Sequence, residues 1–178
     1  MIQFLQALIS GLSLGSIYAL IALGYTMVYG IAKMLNFAHG DIIMIGAYSV
    51  IVSLTTLHLP GIAAVVISIA VCALLGITIE FLAYKPLRKS SPLAVLITAI
   101  GVSYFLQNVA LIIFGSTQLP FDKDKKLFDL PVVKFGKVEI NGITLLTLIV
   151  TAVIMVGLTL FINKTKMGKA MRAVSEDK

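Results

Sequence analysis

The chain has 178 residues, of which 59% are hydrophobic and only 12% charged, about half the ~25% charged share of ordinary soluble domains. Eight acidic and fourteen basic side chains cannot coat a soluble globule of this size, which excludes that class and indicates a membrane protein. The net charge of +6 sits in short clusters between apolar runs, arguing for orientation in a bilayer rather than nucleic-acid binding, and the single Cys72 excludes a disulfide scaffold within the chain.

Each charged residue near a membrane-helix centre costs roughly 2.5–3.5 kcal/mol, so charge-free runs mark the spans. The first reaches to Ala32 and predicts a span over residues 5–29; no basic segment precedes it, so it does not read as a cleaved signal peptide. The next run is too long for one helix and is interrupted at Leu59-Pro60-Gly61, predicting two helices, 42–57 and 62–83. The former is short for a full crossing, since a ~30 Å core needs ~20 helical residues. After Lys85-Pro86-Leu87-Arg88-Lys89 comes a fourth span, 92–114, with Pro92 suited to a first helical turn. A fifth follows at 143–162.

Between these last two lies a polar connection in which Asp122, Lys123, Asp124, Lys125 and Lys126 mix both signs. Its second half, 131–140, alternates Val133, Phe135, Val138 and Ile140 with Lys134, Lys137 and Glu139, predicting a small extracytoplasmic hairpin around Gly136-Lys137, with a helix-period reading of so short a segment as the alternative. The fold class is therefore an all-α polytopic membrane protein of about five helices, with this hairpin and one helix break near 30–41. Basic residues on two connections, Lys85, Arg88 and Lys89, then Lys164, Lys166, Lys169 and Arg172, place 85–91 and 163–178 in the cytoplasm. Met1 is then outside if 42–57 crosses completely, and inside if that helix is re-entrant.

The most informative stretch is Gly30 to Asp41, where glycines and polar side chains break up apolar sequence. Broken helices at membrane depth are tolerated where protein or a water-filled cavity satisfies the freed backbone, and they often line transport pathways. Asn36 or Asp41 is suited to cap the following helix, whose first amides would suit a carboxylate. The plainer reading is an interfacial loop with a helix cap. His39 and Asp41 lack the companions a metal site needs, and the only other histidine is His58 beside a turn. Glu80, with Tyr84 and Lys85 close behind, reads as an interfacial pair. Gly11, Gly15 and Ala19, and Gly101 with wider spacing, read as helix-packing seams. No phosphate-binding loop or nucleophile elbow occurs, so transport is a stronger class than ATP hydrolysis or intramembrane hydrolysis.

These residues also resemble a known family. Gly11-Leu12-Ser13-Leu14-Gly15-Ser16-Ile17-Tyr18-Ala19-Leu20, Gly24-Tyr25-Thr26-Met27-Val28-Tyr29-Gly30, Leu35-Asn36-Phe37-Ala38-His39-Gly40-Asp41 and Thr165-Lys166-Met167-Gly168-Lys169-Ala170-Met171-Arg172-Ala173 resemble the membrane permease subunit of bacterial ABC importers for branched-chain amino acids, the LivH type. The resemblance covers nearly the whole chain and implies a multi-pass protein of the cytoplasmic (inner) membrane, residues 1–178 forming the N-terminal part of one longer permease domain. It implies that Asn36, Phe37, His39, Gly40 and Asp41 interrupt a pathway-forming helix, reversing the preference for a plain loop. It implies alternating access and no enzymatic activity in this chain. Its partners would be a second permease of the LivM type, two ABC ATPase subunits that hold ATP-Mg, and a periplasmic substrate-binding protein; this chain itself would bind no cofactor. Gly168, Arg172 and Glu176 would lie towards the ATPases. Family members continue with a docking loop, so the chain reads as truncated in mid-loop. The competing readings are a related ABC permease for sugars, nucleosides, urea or amides, and an ion-coupled secondary transporter using Asp41 or Glu80.

Overall fold

Runs of Leu, Ile, Val and Ala without charges have one stable backbone solution in hydrocarbon, because every N–H and C=O must find its partner inside the segment. The computed structural model describes residues 2–32, 35–87, 90–117, 119, 133–135, 138–140 and 142–176. Helices occupy the charge-free runs: α1 Ile2–Ala32, α2 His39–Thr55, α3 Gly61–Ile79, α4 Pro92–Phe114 and α5 Gly142–Lys164. Among the described residues four segments are long and apolar enough to cross a membrane, Gln3–Gly30, Gly61–Leu87, Pro92–Phe114 and Gly142–Lys164. The fifth, α2, has 17 residues, a rise of roughly 26 Å against a hydrocarbon core of ~30 Å. The chain is a polytopic membrane protein, and large apolar side chains such as Ile62, Ile112 and Val153 point outward, each more than half exposed.

Two compact units divide the chain. One comprises residues 34–128. In it α2 and α3 pack as an antiparallel pair, as their contacts show: the Ser68 hydroxyl donates to the Gly46 carbonyl (2.8 Å) and the Cys72 thiol to the Ile42 carbonyl (3.6 Å). The connection between them turns through His58, held at φ 52°, with the Leu59 N–H donating to the Ser53 carbonyl at 3.0 Å. Beyond Ile79 the helix does not continue in α geometry. Glu80–Tyr84 forms one π turn and Lys85–Leu87 one 3-10 turn. A π turn displaces the following side chains relative to an ideal helix, and such turns concentrate at functional sites. Helix α4 starts as the sequence predicts, with Pro92 in its first turn and the Ser91 side chain accepting from the Ala94 N–H. The core of this unit is Ala38, Ile79, Tyr84, Val95, Ala99 and Leu106.

The other unit comprises residues 1–33 and 129–178. It contains α1, α5, a two-stranded hairpin of β1 Val133–Phe135 and β2 Val138–Ile140, and a helix α6 Lys166–Glu176. The strands pair antiparallel with Val133 opposite Ile140 and Phe135 opposite Val138, in the segment where the alternation predicts them; the expected turn residues Gly136 and Lys137 lie outside the described residues. Helix α6 is an addition to the sequence reading, which assigns no element after the fifth span. Met167, Ala170, Met171 and Val174 recur at helical spacing against Lys166, Lys169 and Arg172, a pattern an amphipathic helix needs.

Candidate functional site

Helix α1 ends at Ala32 and α2 starts at His39, so the predicted break is a short non-helical passage in which 35–38 are described. Two hydrogen bonds close it locally. The Asn36 Oδ1 accepts from the Ala38 N–H at 3.1 Å, an Asx-type closure, and the His39 N–H donates to the Asn36 carbonyl at 3.2 Å. The same Oδ1 accepts the Tyr84 hydroxyl at 2.8 Å. Tyr84 is the last residue of the π turn and is 6% exposed. The break is therefore pinned to the end of α3 by one hydrogen bond across 48 positions of sequence. Ala38, fully buried in the core, is the residue at the N-cap of α2, and no side chain caps that helix. The expectation that Asn36 or Asp41 caps α2 is thus corrected. Asn36 is used two residues upstream, and Asp41 lies inside the first turn, directed to α4.

Asp41 is 8% exposed, a buried acidic side chain in the first turn of an apolar helix, and it requires donors. Two come from α4. The Ser103 hydroxyl donates to Oδ2, and the Gln107 amide donates to Oδ1 at 3.0 Å and to the Ser103 Oγ at 3.2 Å. Ser103 and Gln107 are four residues apart and share a helix face. Both donors are neutral, so they satisfy the carboxylate without neutralising it, and its place in the first turn of α2 adds the favourable helix field. Gln107 and its neighbour Asn108 are exposed, which carries this polar cluster from the buried carboxylate to the surface of the unit. Tyr84, Ser103 and Gln107 were not singled out as site residues by the sequence reading. The signal for the latter two is a pair of polar side chains at i and i+4 in a charge-free span.

The remaining predicted residues divide. Phe37 is 44% exposed and Gly40 is exposed with open space where a Cβ would stand, while His39 is half-buried. Thus the five candidates within 36–41 do not share one environment: Asn36 and Asp41 anchor the break, and Phe37 and Gly40 face outward. Among the described residues no group of three metal-ligating side chains comes together. Glu80 opens the π turn; the Tyr84 hydroxyl donates to Asn36, and the Lys85 ammonium lies 4.5 Å from the centre of the Phe81 ring.

The expected packing seams are open within their own units. No described atom of its own unit lies within 4 Å of a Cβ built on Gly11, Gly15 or Gly101, and Ala19 is half-buried. A small residue permits close approach without enforcing it. The enforced approach is at Gly46, where a Cβ would stand 2.8 Å from the Cys72 sulfur and 3.3 Å from the Ser68 hydroxyl.

At the other expected region, Gly168 is buried where α6 turns off α5, and a Cβ there would overlap the backbone of Ile162. The Thr165 hydroxyl closes this corner, donating to the Phe161 carbonyl at 2.6 Å and accepting the Gly168 N–H at 3.0 Å. Gly168 shapes the corner. Arg172, one helical turn further, is exposed and donates to the side chain and carbonyl of Asn163, each at 3.4 Å. Glu176 ends α6; its side chain lies outside the described residues.

Known proteins resemble the chain over nearly its whole length. The profile of the family described as "Branched-chain amino acid transport system / permease component" matches residues 7–178. The chain is 42% identical to the high-affinity branched-chain amino acid transport system permease protein BraD of Pseudomonas aeruginosa, over 98% of this chain and 60% of that protein. It is 41% identical to the corresponding permease protein LivH of Escherichia coli, over 99% and 60%. A probable LivH of Methanocaldococcus jannaschii is 33% identical over 91% and 52%. The chain thus spans about three-fifths of the length of the bacterial relatives it matches. No solved structure matches it.

Proposed function

The chain belongs to the permease-component family of branched-chain amino acid transport systems, and from that membership we propose that it is the transmembrane permease subunit of an ATP-driven importer for leucine, isoleucine and valine. The observation that carries the reading is the match across residues 7–178 of a chain built of apolar helices. In this reading ATP is bound and hydrolysed as ATP-Mg by two partner ATPase subunits, a second permease of the LivM type completes the channel, and a periplasmic binding protein delivers the substrate. The surrounding membrane is the bacterial inner membrane, with 85–91 and 163–178 on its cytoplasmic side. Residues 1–178 then form part of one longer permease domain.

The mechanism follows from the break. Phe37, His39 and Gly40, between two anchored residues, line the substrate path on one side, and the exposed Gln107–Asn108 edge of α4 supplies polar surface on the other. Asn36 and Asp41 hold this segment to the π turn and to α4, so a movement of either element displaces the break. Such a coupling lets ATP binding in the partners bias two states of the path. The α5–α6 corner, shaped by Gly168 and carrying Arg172 and Glu176, lies towards the ATPases. The test is reconstitution of the full-length permease with its companion subunits in proteoliposomes. Uptake of radiolabelled leucine, isoleucine and valine that requires both ATP inside and the binding protein outside is expected. Uptake driven by an ion gradient without ATP, or uptake of sugars or amides in place of these amino acids, overturns the reading.

A further inference from the structure

The two amides of α4, Gln107 and Asn108, stand at consecutive positions, and their hydrogen bonds engage the nitrogens and leave the oxygens. A carboxylate only accepts, so the Gln107 amide turns its NH2 to Asp41, donating to Oδ1 at 3.0 Å and to the Ser103 Oγ at 3.2 Å. Both N–H groups are spent there, and Oε1 is left over. The Asn108 NH2 donates to the Tyr104 carbonyl at 2.7 Å, and its Oδ1 is likewise left over. Both side chains are exposed, and among the described residues nothing donates to either oxygen. Behind them lies the Asp41 charge, which Ser103 and Gln107 satisfy without cancelling. Acceptors without donors are costly against hydrocarbon, so this edge of a charge-free helix fits a ligand that brings donors and positive charge. Around it the same face is apolar: Tyr104, four residues before Asn108, is 63% exposed, and Leu111, three after, is 51% exposed.

We infer that the Gln107 Oε1 and the Asn108 Oδ1 receive the α-ammonium group of the transported amino acid, with its aliphatic side chain against Tyr104 and Leu111; this rests on the importer reading above and names the residues that read the charged end of its substrate. An ammonium has three donors and no acceptor, the complement of an edge whose oxygens are unengaged. The two side chains leave Cα atoms about 3.8 Å apart, close enough for one ammonium, whose N–H groups diverge, to reach both oxygens. The uncancelled Asp41 charge favours a cation there over a neutral hydroxyl. A sugar brings no charge and no aliphatic branch for Tyr104 and Leu111. Asp41 and Ser103 are positioning residues, which hold the Gln107 amide in the orientation that leaves its oxygen free.

The test is equilibrium binding of radiolabelled leucine to the full-length importer complex in nanodiscs without its binding protein. Two competitors separate the groups: 3-methylbutylamine keeps the ammonium and the branched chain, and 2-hydroxy-4-methylpentanoate carries a hydroxyl in place of the ammonium. The amine is expected to displace leucine, and the hydroxy acid to be at least about tenfold weaker than leucine, the loss of one hydrogen-bonded charge. Asn108→Asp keeps an acceptor and adds charge, so it should bind leucine at least as tightly as the parent; Asn108→Leu and Gln107→Met should each bind about tenfold more weakly, and Asn108→Lys should not bind. An amide that only packs gives the reverse order at 108, because an apolar span tolerates leucine and not a carboxylate. That reversed order, equal competition by the amine and the hydroxy acid, displacement of leucine by sodium chloride but not by choline chloride, or ATP-driven uptake by a complex that binds no leucine overturns this inference and leaves the importer reading standing. Leucine uptake that does not depend on ATP removes both.

Discussion

At Gly46 a single hydrogen atom in place of a side chain sets how closely α2 and α3 approach. The Cys72 sulfur stands 2.8 Å from where a Cβ would be, and the Ser68 hydroxyl donates to the Gly46 carbonyl. Gly46→Ala is therefore expected to destabilise the full-length permease by about 1–3 kcal/mol, the range for overpacking a close contact. Cys72→Ala removes the atom that the new methyl meets, so the double variant should recover most of the loss, a non-additivity that thermal unfolding of the purified permease can measure. Additive losses in the two single variants would show that the contact is not the cause.

Among the elements, the π turn Glu80–Tyr84 does what an α-helix of the same sequence cannot. By carrying one extra residue in its turn it brings the Tyr84 hydroxyl to Asn36, and so joins the end of α3 to the helix break. Tyr84→Phe removes one hydrogen bond of about 0.5–1.5 kcal/mol and should lower unfolding temperature and uptake modestly. Deleting one residue from 80–84 removes the extra residue and restores α geometry, so side chains within the turn, Tyr84 among them, lose their present directions while those beyond keep theirs; uptake should then fall more than in Tyr84→Phe. Comparable uptake in the two variants would mean that the π geometry has no part in positioning the break.

For the whole molecule the question is what would drive the proposed transport, and the setting of Asp41 bears on it. Its donors, Ser103 and Gln107, are neutral and packed from one helix face, the arrangement of an anchor. In the reconstituted complex Asp41→Asn retains an acceptor oxygen, so ATP-dependent uptake should stay within about tenfold of the parent, a loss of no more than about one good hydrogen bond. Asp41→Leu leaves both donors facing an apolar side chain and should lose assembly as well as uptake. Abolition of uptake in Asp41→Asn with normal assembly would instead mark a coupling carboxylate, and with it an ion-driven transporter.

The sequence by itself determined the class, the five helices, the hairpin and the place of the break, because hydrocarbon admits only closed backbone and excludes charge, and both conditions are written locally as charge-free runs, prolines and alternation. The family was legible for the same reason, in contiguous motifs such as Asn36 to Asp41. Helix α6 was legible too, in its Met167–Ala170–Met171 spacing, but the density of its charges hid that spacing. Only the tertiary structure decided which residues serve the break. Tyr84, Ser103 and Gln107 reach it from 48, 62 and 66 positions away, and whether a tyrosine meets an asparagine depends on a π turn that no local pattern announces. The same holds for the glycines: Gly11, Gly15 and Gly46 are alike in sequence, and closeness is a property of the facing helix, so only packing could show that Gly46 is the one pressed against a neighbour.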